Sequence, residues 1–223
     1  MVLIIGIDDA GRGPLIGPMI LAGVLITKTQ EDLFKRNKIT DSKLVKHPVR
    51  IKMSKLIKEN SIKYKVVKAY PEEIDNSIKS GVNLNTLEAI KSAEIINFLN
   101  NKKDKIKVIV DCPSVNKMVW AGTLINYIEH PENLSISCEH KADLNHVSVS
   151  AASILAKVAR EEEVEEIKKK YGDFGSGYPS DDKAIKFLKE NGVKLRNSGI
   201  FRKSWATWKS LFSEKNQSSL KDF

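Results

Sequence analysis

The sequence predicts an α/β fold, a five-stranded mixed sheet flanked by helices with a C-terminal helical extension. Three observations predict it. Strand-like apolar runs come early, at residues 2–7, 19–26 and 62–68. Two shorter runs, at 107–110 and 134–138, then alternate with helical segments, which is the pattern of strands added in parallel. Finally, a long helix over 148–170 opens on Ser150-Ala151-Ala152-Ser153, small residues that allow close packing on a sheet.

The elements follow in order. Residues 2–7 (VLIIGI) form a first strand that finishes on adjacent Asp8 and Asp9. The turn Ala10-Gly11-Arg12-Gly13-Pro14 leads to a second strand, 19–26. A basic amphipathic helix fills 43–60, with Pro48 in its first turns or at a break. Residues 62–68 alternate in part and form a third strand. Asn85-x-x-Glu88 reads as a helix start with a reaching glutamate, and the helix places Leu87, Ile95 and Phe98 near one face. The wholly apolar run 107–110 suits a buried parallel strand and ends on Asp111. Residues 134–138 form the fifth strand, with Asp143 beyond it.

In the tail of the long helix, Glu165–Lys169 and Glu166–Lys170 are favourable pairs four apart, and Glu161, Glu162 and Glu163 form a solvated face. Gly172, Gly175, Gly177 and Pro179 break regularity before a helix at about 180–191 that stops near Gly192. Trp205, Trp208, Leu211 and Phe212 recur at helical spacing and pack a last helix. The expected organisation is a main domain over 1–175, an extension packed on it over 176–212, and a polar, fraying tail over 213–223.

Composition narrows the function. Of 223 residues, 41% are hydrophobic, enough for a core. No run approaches the ~18 apolar residues of a membrane helix. The first apolar run lacks a preceding basic region, so it reads as a strand and not a signal peptide. Cys112 and Cys138 make neither a disulfide framework nor a zinc site, and suit buried thiols in a reducing cytoplasm. The net charge is +9, and residues 28–68 alone hold 13 Lys/Arg against four Asp/Glu. Such a surface faces nucleic acid or belongs to a lysine-rich, thermophile-like composition.

The chemistry starts at Asp8 and Asp9. Neighbours on a strand point to opposite faces, and two adjacent anions call for a divalent metal or a substrate cation. The glycines after them let the backbone approach a ligand, while Arg12 offers a fork for phosphate or a cap for a carboxylate. Asp111 and Asp143 add two hard oxygen donors at a strand end and a helix entrance, the type of donor two-metal phosphodiester hydrolysis needs. Each alone also reads as a turn former or helix cap. Lys141 could pair with a carboxylate or a phosphate. Tyr178 is a turn aromatic that could stack on a sugar or cover the core. His146 reads as a helix-entry surface residue or as a group near the metals.

Together the motifs resemble type 2 ribonucleases H (ribonuclease HII). The resemblance rests on Gly6-Ile7-Asp8-Asp9-Ala10-Gly11-Arg12-Gly13-Pro14, Asp41-Ser42-Lys43 and Val110-Asp111-Cys112-Pro113. It continues through His140-Lys141-Ala142-Asp143 with Val149-Ser150-Ala151-Ala152-Ser153-Ile154-Leu155-Ala156-Lys157, Ser176-Gly177-Tyr178-Pro179-Ser180-Asp181, and Arg202-Lys203-Ser204-Trp205. The order is the family's, over roughly 1–208, and the last motif leans to the archaeal branch.

The resemblance implies a ribonuclease H-like fold and hydrolysis of RNA in RNA–DNA hybrids, with nicking 5′ of ribonucleotides embedded in DNA. It implies Asp8, Asp9, Asp111 and Asp143 as catalytic ligands of two Mg²⁺ or Mn²⁺ ions. Gly11, Arg12 and Gly13 would read the 2′-hydroxyl, largely through backbone groups. Ser42 and Lys43 would hold the DNA backbone, and Tyr178 would stack on the following sugar. A monomer is expected, and Lys215 to Leu220 with Phe223 loosely matches a replication-clamp motif.

Two departures stand out: Asp9 replaces the family's Glu, and His146-Val147 replaces Tyr-Pro. Two other readings compete. A sugar- or ATP-binding kinase shares the Gly-Ile-Asp strand end, but needs a second domain and further phosphate loops. A non-catalytic hybrid-binding module is prompted by Asp9.

Overall fold

The computed structural model describes residues 2–39 and 45–212. All five expected strands form: β1 (Leu3–Ala10), β2 (Met19–Thr27), β3 (Lys63–Ala69), β4 (Ile106–Asp111) and β5 (Leu134–Glu139). They pair in the order β3-β2-β1-β4-β5. The β1–β2 and β2–β3 pairs are antiparallel, and β1–β4 and β4–β5 are parallel, so the sheet is mixed as expected. β1 runs three residues further than its apolar run, so Asp8 and Asp9 lie within the strand.

Helices cover both faces, which is why β1 reads as a nearly continuous apolar run. Leu3, Ile5 and Ile7 share a core with Leu87, Ala93, Ile95 and Ile96 of α4 (Leu84–Leu99) and Trp120 of α5 (Lys117–Ile125). On the opposite face Ile4 and Ala10 pack with Val149, Ala151, Ile154 and Leu155 of α7 (Val147–Tyr171), Phe34 of α1 (Lys28–Arg36) and Ile57 of α2 (His47–Asn60). α7 lies directly on β1. A Cβ at Gly6 would stand 2.2 Å from the Ser148 carbonyl carbon, so only glycine permits that approach.

A third core gathers Leu15 and Ile16, which follow the turn after β1, with Val164, Phe174, Phe201 and Trp208. Phe187 and Leu188 join it from α8 (Asp182–Asn191), and Trp208 comes from α9 (Ala206–Phe212). The last helices thus close over the start of the chain.

Several expectations need correction. Helices α1, α3 (Pro71–Lys79), α5 and α6 (Ala142–Asn145) were not anticipated. α1 is announced by a Thr27–Gln30 capping box, but it is short and buries only Phe34. α4 is capped by Asn83, whose side chain accepts the Thr86 N–H, so Asn85 and Glu88 are not its capping pair. Phe98 does not share the buried face of Leu87 and Ile95; it is 42% exposed, with the Lys63 ammonium 3.7 Å from its ring centre.

Trp205 precedes α9 and lies outside it. In α7 the lysines pair three apart and not four, Lys168 with Glu165 and Lys169 with Glu166. Glu161 and Glu163 are not merely solvated. Glu161 pairs with His47 and Arg50 of α2, and Glu163 with Lys68 of β3.

Candidate active site

The pleat of β1 sends its two carboxylates to opposite faces, as the period of a strand requires. Asp8, 7% exposed, points to α7, where it is hydrogen-bonded by the Ser153 hydroxyl. Its Oδ1 also accepts the Asp9 N–H at 2.8 Å. Burial, then the nearby Asp9 and Asp111 charges, push its pKa well above the usual carboxylate range. Asp9 is half-buried on the α4 face. Burial and the Glu88 charge raise its pKa to about 7, against the opposing pull of Arg12 and Lys157.

β4 runs parallel to β1 in a register that pairs Ile7 with Val110, so Asp111 ends level with Asp8. Asp111 Oδ1 accepts the Ala142 N–H at 2.6 Å. This bond ties α6 to the strand ends and brings the buried Asp143 with it. The structure therefore brings Asp8, Asp9 and Asp111 together at the carboxyl ends of β1 and β4, with Asp143 following the Ala142 amide that Asp111 holds. Among the described residues, no three acidic, His or Cys side chains form a ready-made ion cage.

Glu88 is the residue that sequence reasoning missed. It is 2% exposed, in α4, and lines the same small cavity as Asp8, Asp9 and Asp111. Burial raises its pKa to about 7 although Arg12 opposes this. The Arg12 guanidinium is engaged with the Glu88 carboxylate and Asn85 Oδ1. Of the two roles open to Arg12, capping a carboxylate is the one observed. A Glu three residues after Asn was visible in the sequence, but its partner stands 76 positions away.

Beside Asp9 a cleft of about 270 Å³ is lined by Asp9, Gly11, Arg12, Gly13, Lys157, Arg160, Glu161 and Tyr178. Gly11 adopts φ +80°, a left-handed conformation that strains any side chain. Tyr178 lies over Gly13, where a Cβ would stand 3.3 Å from its ring, and the Tyr178 side remains 37% exposed. The Arg160 guanidinium sits 5.4 Å from the Tyr178 ring centre and donates to the Ser176 carbonyl at 3.2 Å. Its Nε is buried without a hydrogen-bond partner. Lys157 and Arg160 were not singled out as binding groups, although their three-residue spacing on a helix puts them on one face.

The remaining sequence-predicted residues fall elsewhere. Lys141 is exposed at the start of α6 with φ +55°, next to the Ala142 amide that holds Asp111, and it does not line the Tyr178 cleft. Ser42 and Lys43 lie outside the described residues. His146 Nε2 is 2.8 Å from Glu139 Oε2 at the entrance of α7, which matches its helix-entry reading.

A mixed sheet in this order, with acidic side chains gathered at the ends of two parallel neighbours, defines a nuclease of the ribonuclease H class. Comparison with known proteins narrows the class. Residues 5–208 match the family model of Ribonuclease HII. Ribonuclease HII of Methanococcus maripaludis is 40% identical over 98% of this chain and 90% of its own. The crystal structure of ribonuclease H2 from Pyrococcus horikoshii superposes with a TM-score of 0.85 at 33% identity, covering 99% of this chain and 100% of that one. Ribonuclease HII of Archaeoglobus fulgidus, solved in complex with PCNA, gives 0.80 at 35% identity over 91% and 95%.

The chain belongs to the ribonuclease HII family. It is an endoribonuclease of the type that cleaves the RNA strand of RNA–DNA hybrids. That assignment sets aside the kinase reading.

Proposed function

We propose that this enzyme also nicks on the 5′ side of single ribonucleotides embedded in duplex DNA, with two divalent cations, Mg²⁺ or Mn²⁺, held by Asp8, Asp9, Asp111 and Asp143. The donor set fits such ions. The ligands are hard carboxylate oxygens without thiolate or imidazole; burial and the Asp9 and Asp111 charges raise the pKa of Asp8, and burial and the Glu88 and Asp111 charges raise that of Asp9. Cations bound there would activate a water and stabilise the leaving 3′-oxygen. The products are a 3′-hydroxyl and a 5′-phosphate: a water oxygen joins phosphorus and the P–O3′ bond breaks.

The observation that carries the reading is Tyr178 seated on Gly13, in one cleft with Asp9. In this reading the Gly11-Arg12-Gly13 backbone meets the 2′-hydroxyl, the mark that separates RNA from DNA. The exposed ring of Tyr178 stacks on the next sugar and reports a deoxyribose. Lys141 reaches a phosphate, Ser42 and Lys43 hold the DNA backbone, and Lys157 and Arg160 add positive charge to the cleft. Arg12 acts through Glu88, holding the turn against α4.

Residues 1–175 then form the catalytic domain and 176–212 an extension packed on it. The protein works as a cytoplasmic monomer. No helix among the described residues is long and apolar enough to cross a membrane. The clamp complex of the Archaeoglobus fulgidus relative supports clamp contact here, for which Lys215 to Leu220 with Phe223, outside the described residues, are the candidate segment.

The test is a labelled DNA duplex containing one ribonucleotide, incubated with Mg²⁺, Mn²⁺ or EDTA. Metal-dependent nicking immediately 5′ of the ribonucleotide is expected. Cleavage of long hybrids alone would overturn the embedded-ribonucleotide reading.

A further inference from the structure

Arg202 is a fully buried arginine, 0% exposed, whose charge is directed at main-chain oxygens. Nη2 donates to the Gly11 carbonyl at 2.6 Å, Nη1 to the Arg12 carbonyl at 2.6 Å, and Nε to the Gly17 carbonyl at 3.0 Å. Trp205, whose ring centre lies 4.9 Å from that guanidinium, donates its indole N–H to the Gly13 carbonyl at 3.1 Å. Three successive carbonyls of the Gly-rich turn are thus held from one side by one C-terminal segment.

A trans peptide points its N–H opposite to its C=O, and no cis peptide is present among the described residues. Tying the Gly11 and Arg12 carbonyls to Arg202 therefore turns the amides of Arg12 and Gly13 away from the C-terminal segment. Pro14 has no amide to offer. Burying a guanidinium for a structural purpose alone is expensive in solvation, whereas a fork of fixed donors is well suited to setting the orientation of several peptides at once.

The segment is itself anchored. Asp75, 5% exposed in α3, accepts the Lys203 N–H at 2.8 Å on Oδ2. Its Oδ1 accepts the Ser204 N–H at 2.9 Å and the Ser204 hydroxyl at 2.6 Å. Those bonds fix the two residues between Arg202 and Trp205.

We propose that Arg202 and Trp205, with Asp75 behind them, are positioning residues for ribose recognition: they hold the Gly11–Gly13 turn so that its amides are presented to the 2′-hydroxyl. The inference rests on the proposed role of that turn. None of the three residues needs to touch the substrate. Their effect falls on alignment of the ribonucleotide at the carboxylates, and not on the affinity for duplex, which phosphate contacts dominate.

The test compares the full-length wild type, Arg202→Lys and Asp75→Asn on a DNA duplex with one ribonucleotide, measuring kcat, KM and the rise of the thermal midpoint with Mn²⁺. Lysine replaces a fork with a point charge, so Arg202→Lys should lower kcat by about 100-fold, the scale of a small misplacement. Asp75→Asn places an amide donor against N–H donors and should lower kcat by roughly tenfold. KM should stay within about threefold, since the phosphate contacts are untouched. An Mn²⁺-induced stabilisation equal to the wild type's would show that the carboxylates are intact.

Folded variants with wild-type kcat would overturn the inference, leaving Arg202 as packing alone. A rise in KM at unchanged kcat would overturn it too. Should Arg202→Lys fail to fold, Asp75→Asn decides by the same criteria. A wild type that cuts hybrids but ignores the embedded ribonucleotide would remove the reading beneath the inference, an outcome distinct from any variant-specific result.

Discussion

The two faces of β1 treat their carboxylates differently. On the α7 face, Asp8 is buried and held by a serine hydroxyl and a backbone amide. On the α4 face, Asp9 is half-buried among charges, with Glu88 raising its pKa and Arg12 and Lys157 lowering it. Neutral hydrogen bonds fix a position, whereas a balance of charges tolerates adjustment. Asp8 is thus the member of the pair with two short-range hydrogen-bond partners, under the Asp9 and Asp111 charges as well. Asp9, where the resemblance implies a Glu, sits on the face shared with Glu88 and Arg12.

The contrast breaks first at Asp8. If Asp8 holds a cation as proposed, Asp8→Asn should reduce nicking by at least ~1000-fold, because the amide keeps the shape but removes the charge and one hard oxygen donor. It should also raise the thermal midpoint without metal, since a repelling charge is gone. Activity near wild type would refute the assignment of Asp8 as a ligand. Asp9→Glu sharpens the other side. Restoring the longer arm should raise kcat, by up to about tenfold, given the sensitivity of catalysis to displacements of about one ångström. A fall in kcat would mean that Glu88 and Arg12 have already set the site for the shorter aspartate.

The smallest effect concerns pH. Asp8, Asp9 and Glu88 hold their protons more tightly in the folded than in the unfolded protein, with Asp9 and Glu88 at about 7. Between ~4 and ~7 the folded state therefore binds more protons, and stability falls as pH rises through that window. For Asp9 and Glu88 the stabilisation is complete below the unfolded carboxylate range and lost above about 7. Thermal melts in EDTA should show this decline, and Mg²⁺ or Mn²⁺ at pH 8 should reverse it by binding the ionised form. A melting point that is flat from pH 4 to 8 would contradict the burial of these charges.

Much of this was legible in the chain because the central strands have short, uninterrupted apolar runs. Residues 2–7 and 107–110 read as strands since helices cover both faces of the sheet. The opposite orientation of Asp8 and Asp9 followed from the period of a strand alone. Short helices were less visible. α1 buries only Phe34, so no apolar repeat exists to detect. α5 exposes Met118 and Val119, which blurs its inward face.

Pairings across long separations were hidden altogether. Arg12 and Glu88 are 76 residues apart, and Arg202 and Gly11 are 191 apart. Local pattern told that Arg12 had two available roles. Only the position of α4 beside β1 decided between them.

The closure of the last helices over the first turn has a consequence for synthesis. The Leu15 and Ile16 amides bond to the Gly177 carbonyl, the Gly17 amide to Ile200, and the Arg202 amide to Leu15. The sheet can begin to assemble while the chain is still growing, since its strands all precede residue 140. The turn that follows β1 must wait until the segment through Trp205 has left the ribosome. A chain that lacks this segment thus carries the acidic strand ends while the turn beside them has lost the bonds that hold it.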